Sequence, residues 1–247
     1  MADISGDADP DLAVAQIRRI LSLDADVSGW LAAGAADSVL GRVQAEHPGL
    51  RPVLFSSPYE AAVWAILAQH RYRTQAAALR RRLGETAGAS LELAGAREVA
   101  LPTPARLLEV EEVPGIDPAR MTRLHGVAEA ALSGHFDVAG LRAMTDAAAM
   151  TWLQQVRGLG PFYSMLVYLR ATGVTDGLAL GEPRLAACLR HCYGLAETPD
   201  EATVVRLAEA WRPFRTWAGV LFRVAGDRAG LPFEQPPRPA SRPGRAA

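Results

Sequence analysis

Lysine is absent from this chain of 247 residues, in which arginine supplies all 26 basic side chains. A guanidinium group stays protonated at neutral pH, so no side chain can supply the free amine that Schiff-base catalysis needs. Only the N-terminal amine could form an imine. The composition therefore excludes lysine-dependent covalent chemistry.

Cysteine and long apolar runs are also scarce. Cys188 and Cys192 are one helical turn apart, a poor geometry for a mutual disulfide, and with His191 they fall short of the four ligands of a closed zinc site. No apolar run reaches the roughly 20 residues of a membrane span, and the acidic N-terminus does not resemble a secretory signal. We expect reduced thiols, no membrane contact and a cytoplasmic monomer.

The net charge of -1 does not by itself indicate a nucleic-acid partner, but the charge is unevenly distributed. Residues 1–55 hold eight acidic residues and four arginines, so the rest of the chain carries 22 arginines and 19 acidic residues. This small positive excess is compatible with contacts to phosphates.

Helical periodicity dominates the sequence and predicts an all-α protein, since strand-like alternation is nearly absent. Capping signals support three helix starts, at Ser57, Asp117 and Asp200. The predicted helices cover residues 11–23, 36–47, 58–69, 73–86, 118–133, 145–156, 161–172, 182–193, 200–210 and 211–228.

Proline and glycine mark the expected boundaries. The predicted helical core covers residues 11–231 and has two lobes, one of residues 11–57 plus 145–231 and one of residues 58–144. Pro102 and Pro104 mark a connection that is a further candidate for a division between helical lobes. Residues 1–10 and the Pro/Arg-rich tail 232–247 are predicted to be disordered.

A turn between two helical patterns carries the clearest signal of an anion site. In WLQQVRGLGPFYS, residues 152–164, Gly158 and Gly160 permit positive φ and the close approach of a phosphate. Pro161 suits the first turn of the next helix, whose free N–H groups and dipole would face the anion. An ordinary corner between two helices is the alternative interpretation.

The order of the motifs resembles the AlkA-like branch of the helix-hairpin-helix (HhH-GPD) DNA glycosylases from about residue 17 to residue 228. The matching segments are SSPYEAAVWAILAQH, LPTPARLLEV, ARMTRLHGVAEAALSG, the turn VRGLGPFYS, and AEAWRPFRTWAGVLFR. The resemblance implies a two-lobed helical fold that binds duplex DNA containing damaged bases. The N-terminal mixed α/β domain of full-length AlkA has no counterpart here, and we expect it to be lacking.

In that family the hairpin grips the DNA backbone, which here implicates Arg157, Gly158, Leu159 and Gly160. The resemblance also implies a structural Na⁺ or K⁺ ion on the main-chain carbonyls of Gln154, Val156 and Leu159, and no other cofactor. Three further residues are expected to contact the DNA. His70 occupies the position at which the family inserts a side chain into the space left by a flipped base. Arg71 and Arg73 are expected to contact phosphates. Chance exposure of His70 is the alternative.

The family's catalytic aspartate corresponds to Glu182 in DGLALGEPRL. A carboxylate there would stabilise the positive charge that grows on the sugar as the base leaves. Capping of the following helix is an alternative or additional role. Bifunctional relatives place a Schiff-base lysine where this chain has Phe162, so strand cleavage is not expected. Phe162 and Tyr163 are predicted to line the base pocket, and a place in the core is the alternative.

The sequence leaves three functional interpretations. The first is a monofunctional glycosylase that flips out alkylated purines and hydrolyses their N-glycosidic bond. The second, favoured by glutamate in place of aspartate, is a weakly catalytic or non-catalytic protein that binds damaged or distorted duplex. The third is a helical interaction module, which would show no salt-dependent affinity for DNA.

Overall fold

The computed structural model describes residues 9–231, which fold as helices with one small antiparallel sheet. The sheet is β1 (Ser90–Leu93) and β2 (Ala96–Val99). The helices are α1 (Pro10–Ile20), α2 (Trp30–Ala36), α3 (Ser38–Glu46), α4 (Pro58–Ala68), α5 (Arg73–Ala87), α6 (Pro104–Leu108), α7 (Pro118–Leu132), α8 (Val138–Ala143), α9 (Asp146–Leu153), α10 (Pro161–Thr172), α11 (Pro183–Tyr193), α12 (Glu201–Ala208) and α13 (Arg215–Arg228), with a 3-10 turn at Glu209–Trp211.

The all-α prediction is confirmed, and the three predicted caps are in place. The side chain of Ser57 accepts from the amide of Glu60, that of Asp117 from the amide of Arg120, and that of Asp200 from the amide of Thr203. The predicted tail, residues 232–247, and residues 1–8 of the predicted disordered N-terminus lie outside the described residues. Within the rest of that predicted N-terminus, α1 already begins at Pro10.

The short elements were not predicted. Helices α2, α6 and α8 have seven, five and six residues, too few to show a helical period. The two strands form a hairpin whose apolar Leu91 and Leu93 stay exposed. The predicted helix 211–228 begins at Arg215 because Pro213 interrupts it, and the predicted helix 145–156 ends at Leu153 where the glycine turn begins.

Buried side chains form two clusters, one from α4 to α10 and one from α2, α3 and α11 to α13. The predicted lobe boundary at residue 145 assigns α9 and α10 to the second group. Their buried residues, including Leu153 and Val167, instead belong to the first cluster because α10 packs along α4. The division in hydrophobic packing therefore follows α10, and the loop from α10 to α11 passes between the clusters.

The second cluster depends on a buried polar connection through Asp37. Its carboxylate accepts from the amides of Val39 and Leu40 at the start of α3, at 2.9 and 3.1 Å. The same side chain accepts from the indole of the fully buried Trp211 at 3.1 Å and from the hydroxyl of Tyr193. One carboxylate thus satisfies groups from α3, α11 and the 3-10 turn.

Two other observations constrain the molecule. Within residues 9–231, no helix combines the length and apolar character that a membrane crossing requires.

Cys188 and Cys192 are both free thiols, as the sequence predicts, and burial raises the pKa of Cys188 to about 12. A thiol with such a pKa stays protonated and unreactive near neutral pH.

Replacing Asp37 by Ala is expected to destabilise the protein by about 2–4 kcal/mol, because it removes a helix cap and leaves buried donors unpaired. Urea unfolding followed by circular dichroism measures the change. Asp137→Ala is the matched control, since its exposed carboxylate caps α8 through the amide of Gly140. Equal losses in the two variants would show that the buried connection adds nothing.

Candidate nucleic-acid interface and active site

The glycine turn between α9 and α10, residues 154–160, forms a hairpin that is anchored by apolar side chains. Val156 and Leu159 are 5% and 3% exposed, and the amide of Leu159 donates to the carbonyl of Val156 at 3.0 Å. Gly158 has φ of +99°, as the sequence predicts, whereas Gly160 has φ of −74° and acts as the N-cap of α10. The prediction of positive φ thus holds only for Gly158.

Space explains the choice of glycine at position 158 as well. A Cβ atom there would lie 2.8 Å from Cδ1 of Ile66 and 3.0 Å from Cδ of Arg123. At Gly160 a Cβ atom would meet nothing within 4 Å. Gly158 is therefore packed into the fold, and Gly160 faces open space at the N-terminus of α10, where an anion could approach its helix.

A glutamine at the end of α4 holds the hairpin in place. Nε2 of Gln69 donates to the carbonyl of Gly158 at 2.6 Å, and Oε1 of Gln69 accepts from Arg123 on α7 at 3.1 Å. Arg120, one turn earlier, donates to the main-chain carbonyl of Gln69 at 3.1 Å. The hairpin, α4 and α7 therefore form one connected unit.

Arg120 is unusual among these residues because it is only 8% exposed. Its Nη1 lies 3.4 Å from a carboxylate oxygen of Asp117. Burial and the charge of Arg71 lower the pKa of Arg120, whereas Asp117 raises it. The predicted sites include none of Gln69, Arg120 and Arg123, whose role at the hairpin depends on packing between separate helices.

The polar residues predicted to contact DNA lie beside this unit. His70 and Arg71 directly follow Gln69, and Arg73 starts α5. All three are exposed, as is Arg157 in the hairpin itself, and none of these arginines forms an ion pair within residues 9–231. His70 has φ of +55°, a conformation that is rare for a residue with a side chain. Exposed arginines without an ion pair among the described residues, together with His70, therefore occur in and next to the hairpin unit.

Glu182 lies at the start of α11, on the loop that passes between the two clusters. Its Oε2 accepts from the amide of Leu185 at 2.9 Å, so the predicted capping role is confirmed. The same oxygen lies 3.5 Å from Nε of Arg223 on α13. Glu182 is 9% exposed. Among residues 9–231, its carboxylate makes these two contacts, and both involve Oε2. Oε1 is therefore the oxygen available to a ligand.

Glu182 and Phe162 line the same cavity between α10, α11 and α13. Most of the remaining wall is apolar, and the other charged residues on it are Arg170, Arg215 and Arg223. Phe162 is 39% exposed, so its ring is not part of the sealed core. The apolar wall residues are Met165, Leu166, Leu169, Ala179, Leu185 and Val220.

Tyr163, the second predicted pocket residue, lies outside the wall of this cavity. Its ring meets that of Phe162 edge to face, with centroids 5.2 Å apart. Burial raises the pKa of Tyr163, and the charge of Arg120 opposes that shift. The structure therefore brings Phe162 together with Glu182 and places Tyr163 nearer to the hairpin unit.

The loop before Glu182 is fixed to α13 by a second carboxylate. Asp176 accepts from Nε of Arg215 at 2.8 Å and from Nη1 of Arg212 at 2.6 Å. Gly177 and Thr216 add two hydrogen bonds between the same segments, at 3.1 and 2.9 Å. Arg215 is thus neutralised by a partner, and the loop that carries Glu182 is held rigidly.

The hairpin is compatible with a monovalent cation. Such an ion needs carbonyl oxygens, and each carbonyl has two lone pairs. The carbonyl of Val156 accepts one hydrogen bond, from Leu159, and that of Leu159 accepts one at 3.3 Å from the hydroxyl of Ser164. A lone pair of each therefore remains for an ion, and the cation at Gln154, Val156 and Leu159 stays a prediction.

Known proteins share this arrangement of helices. The chain is 21% identical over 209 residues to a DNA-3-methyladenine glycosylase of Bacillus subtilis (strain 168). The aligned segment covers 83% of this chain and 69% of that protein. Among solved structures, the 3-methyladenine DNA glycosylase of Archaeoglobus fulgidus superimposes with a TM-score of 0.72, at 18% identity over 89% of this chain and 75% of that one.

An 8-oxoguanine glycosylase/lyase of Clostridium acetobutylicum, in complex with double-stranded DNA containing cytosine opposite 8-oxoguanine, superimposes with a TM-score of 0.70. It is 14% identical, and the superposition covers 91% of this chain and 78% of that one. No family model matches the chain. The likeness to these solved structures shows the class of fold. The chain has the helical fold of these DNA glycosylases, as its motifs predict.

Gly158→Ala is expected to lower the free energy of unfolding by about 1–3 kcal/mol. The new Cβ atom would sit on a residue with positive φ and would lie too close to the side chains of Ile66 and Arg123. The matched variant Gly160→Ala has neither problem and is expected to change stability by less than about 1 kcal/mol. Urea unfolding of both proteins measures the difference. Similar stabilities for the two variants would contradict the packing described for the hairpin.

Proposed function

We propose that this protein is a monofunctional base-excision DNA glycosylase that hydrolyses the N-glycosidic bond of alkylated purines in duplex DNA. The observation that carries the proposal is the pairing of an anchored carboxylate, Glu182, with an accessible aromatic ring, Phe162, in one cavity between the helical clusters. The names of the relatives, two of which are 3-methyladenine glycosylases, support the same class of substrate.

The hairpin would supply the grip on the DNA backbone. Gly160 opens the N-terminus of α10 to a phosphate, and the exposed Arg71, Arg73 and Arg157 supply free positive charge beside it. Contacts of this kind fix the register of the protein on the duplex without reading its sequence. His70, just after α4, would enter the space that a flipped nucleotide leaves.

Catalysis would use the charge of Glu182. As the bond between the base and C1′ breaks, positive charge grows on the sugar, and a carboxylate beside it lowers the energy of that state. Water then adds its oxygen to C1′ and the departing base takes up a proton. The amide of Leu185 and the guanidinium of Arg223 hold Oε2, which leaves Oε1 to face the sugar or to orient the water.

The absence of lysine argues for hydrolysis without strand cleavage. Phe162 follows Pro161, at the position where bifunctional relatives place their Schiff-base lysine, and the chain has no other lysine to replace it. The aromatic ring instead offers a stacking surface for a flipped base. The expected product is an abasic site in an intact strand.

Glu182→Gln is expected to slow single-turnover release of the damaged base by about a hundredfold or more, because it removes the charge and preserves the shape. Release from a duplex containing a panel of alkylated purines is measured by separating the free bases. Glu98→Gln is the matched control, because this exposed carboxylate on β2 lines neither of the depressions that Glu182 lines.

The control is expected to release bases at the unmodified rate. If the unmodified protein binds the duplex and releases no base from the panel, the second interpretation, a non-catalytic protein that binds damaged DNA, takes the place of the first. Equal rates for the two variants would remove Glu182 from the mechanism.

Affinity for DNA is expected to fall steeply with salt, and Arg157→Gln is expected to reduce the slope of log K against log salt by about 1. Arg81→Gln is the control, since Arg81 pairs with Glu85 at 2.8 Å on the exposed face of α5. Fluorescence anisotropy at several salt concentrations gives both slopes. A salt-independent affinity would favour the third interpretation, an interaction module unrelated to DNA.

A further inference from the structure

The chain leaves α4 through a tight turn formed by residues 68–71. Gln69 has φ of −56° and ψ of 122°, and His70 has φ of +55°. The amide of Arg71 donates to the carbonyl of Ala68 at 3.2 Å and closes the turn. This is the pattern of a type II β-turn, which needs a positive φ at its third residue and therefore favours glycine or asparagine there. Histidine is an unfavourable residue for this backbone position.

The side chain of His70 does not offset that cost within the fold. Its imidazole is exposed and makes no hydrogen bond, ion pair or ring contact with the described residues. A residue with a Cβ atom stays in the left-handed region only where its surroundings fix the backbone. The conformation of His70 is therefore imposed by groups that bind the turn from other parts of the chain.

Arg120 on α7 is such a group. Its Nη2 donates to the main-chain carbonyl of Gln69 at 3.1 Å, and this carbonyl belongs to the peptide unit that also contains the amide of His70. Rotation of that peptide unit would change φ of His70 and break the bond. From the hairpin, the carbonyl of Gly158 holds the side chain of Gln69 at 2.6 Å. The turn is thus fixed from α7 and from the hairpin.

The position of Arg120 is costly, which argues for a role beyond packing. The residue is 8% exposed, and its Nε and Nη1 make no hydrogen bond with the described residues. Both atoms are sealed from solvent, so neither is available to a ligand. An apolar side chain of similar size would avoid burying a charge with unpaired donors. What Arg120 adds at this place is its bond to the carbonyl of Gln69.

We infer that Arg120 is a positioning residue, which holds His70 in the left-handed conformation that presents its side chain to DNA. The inference rests on the proposed function, in which His70 enters the space that a flipped nucleotide leaves. Without the bond to Gln69, the turn would relax toward negative φ at His70, and the competent conformation would lose roughly fivefold in population. Arg120 itself does not touch the DNA.

A double-mutant cycle between Arg120 and His70 tests this coupling. Fluorescence anisotropy measures the preference for a duplex with one tetrahydrofuran abasic site over the same duplex without it. We expect the unmodified protein to prefer the abasic duplex by at least about tenfold, and Arg120→Met to reduce that preference by about fivefold. His70→Gly is expected to remove most of the preference. Adding Arg120→Met to His70→Gly is expected to change the preference by less than about twofold.

Stability supplies a second readout. His70→Gly relieves the strained turn and is expected to raise the ratio of folded to unfolded protein by roughly threefold in urea unfolding. Arg51→Met is the control for Arg120→Met, because the half-buried Arg51 donates to the carbonyl of Ser22 at 2.6 Å and does not line the cavity of Glu182. This control is expected to lower stability and to keep the preference for the abasic duplex.

If Arg120→Met does not fold, the cycle is measured with Arg120→Lys, whose ammonium ends one bond short of Nη2 and is expected to lose the contact with Gln69. The inference is overturned if the Arg120 substitution reduces the preference equally with and without His70, if His70→Gly lowers stability, or if the unmodified protein has no preference for the abasic duplex. Neither duplex requires base release. The expected coupling without glycosylase activity would therefore support the inference and contradict only the proposed hydrolysis.

Discussion

The packing of α10 against α4 is the constraint on which the rest of the structure depends. The start of α10 closes the hairpin, and the same helix supplies Phe162 and Arg170 to the cavity. The end of α10 is fixed by Arg19 and Arg142, which donate to the carbonyls of Ala171 and Thr172 at 2.7 and 2.6 Å. A shift of this helix would therefore move the hairpin and the cavity together. In the proposed function, binding to the DNA backbone and positioning of the base are thus coupled through one element.

The long helices and their starts could be predicted from the sequence because Ser57, Asp117 and Asp200 carry local capping signals beside apolar periodicity. The position of Glu182 as a cap followed from the same local chemistry. The sequence could not reveal that Gln69 bonds to Gly158, or that Arg223 meets Glu182, because these contacts join segments that are distant along the chain. The sequence also could not show which hydrophobic cluster α10 joins, since its partner is decided by packing. The sequence also suggested that Gly160 could adopt a positive φ. Its φ is negative, and the observed feature of this position is the open space beside it at the N-terminus of α10.

In the proposed reaction, the carboxylate of Glu182 faces the sugar at which positive charge develops. Its role is tested by comparing the affinity of the protein for two duplexes, one with a protonated pyrrolidine in place of the reacting sugar and one with the uncharged tetrahydrofuran analogue. We expect the pyrrolidine duplex to bind at least about tenfold more tightly, because a carboxylate close to a unit charge contributes that much even in a partly solvated site. Glu182→Gln is expected to remove the difference. Equal affinity of the unmodified protein for the two duplexes would show that Glu182 does not act on the charge at the sugar.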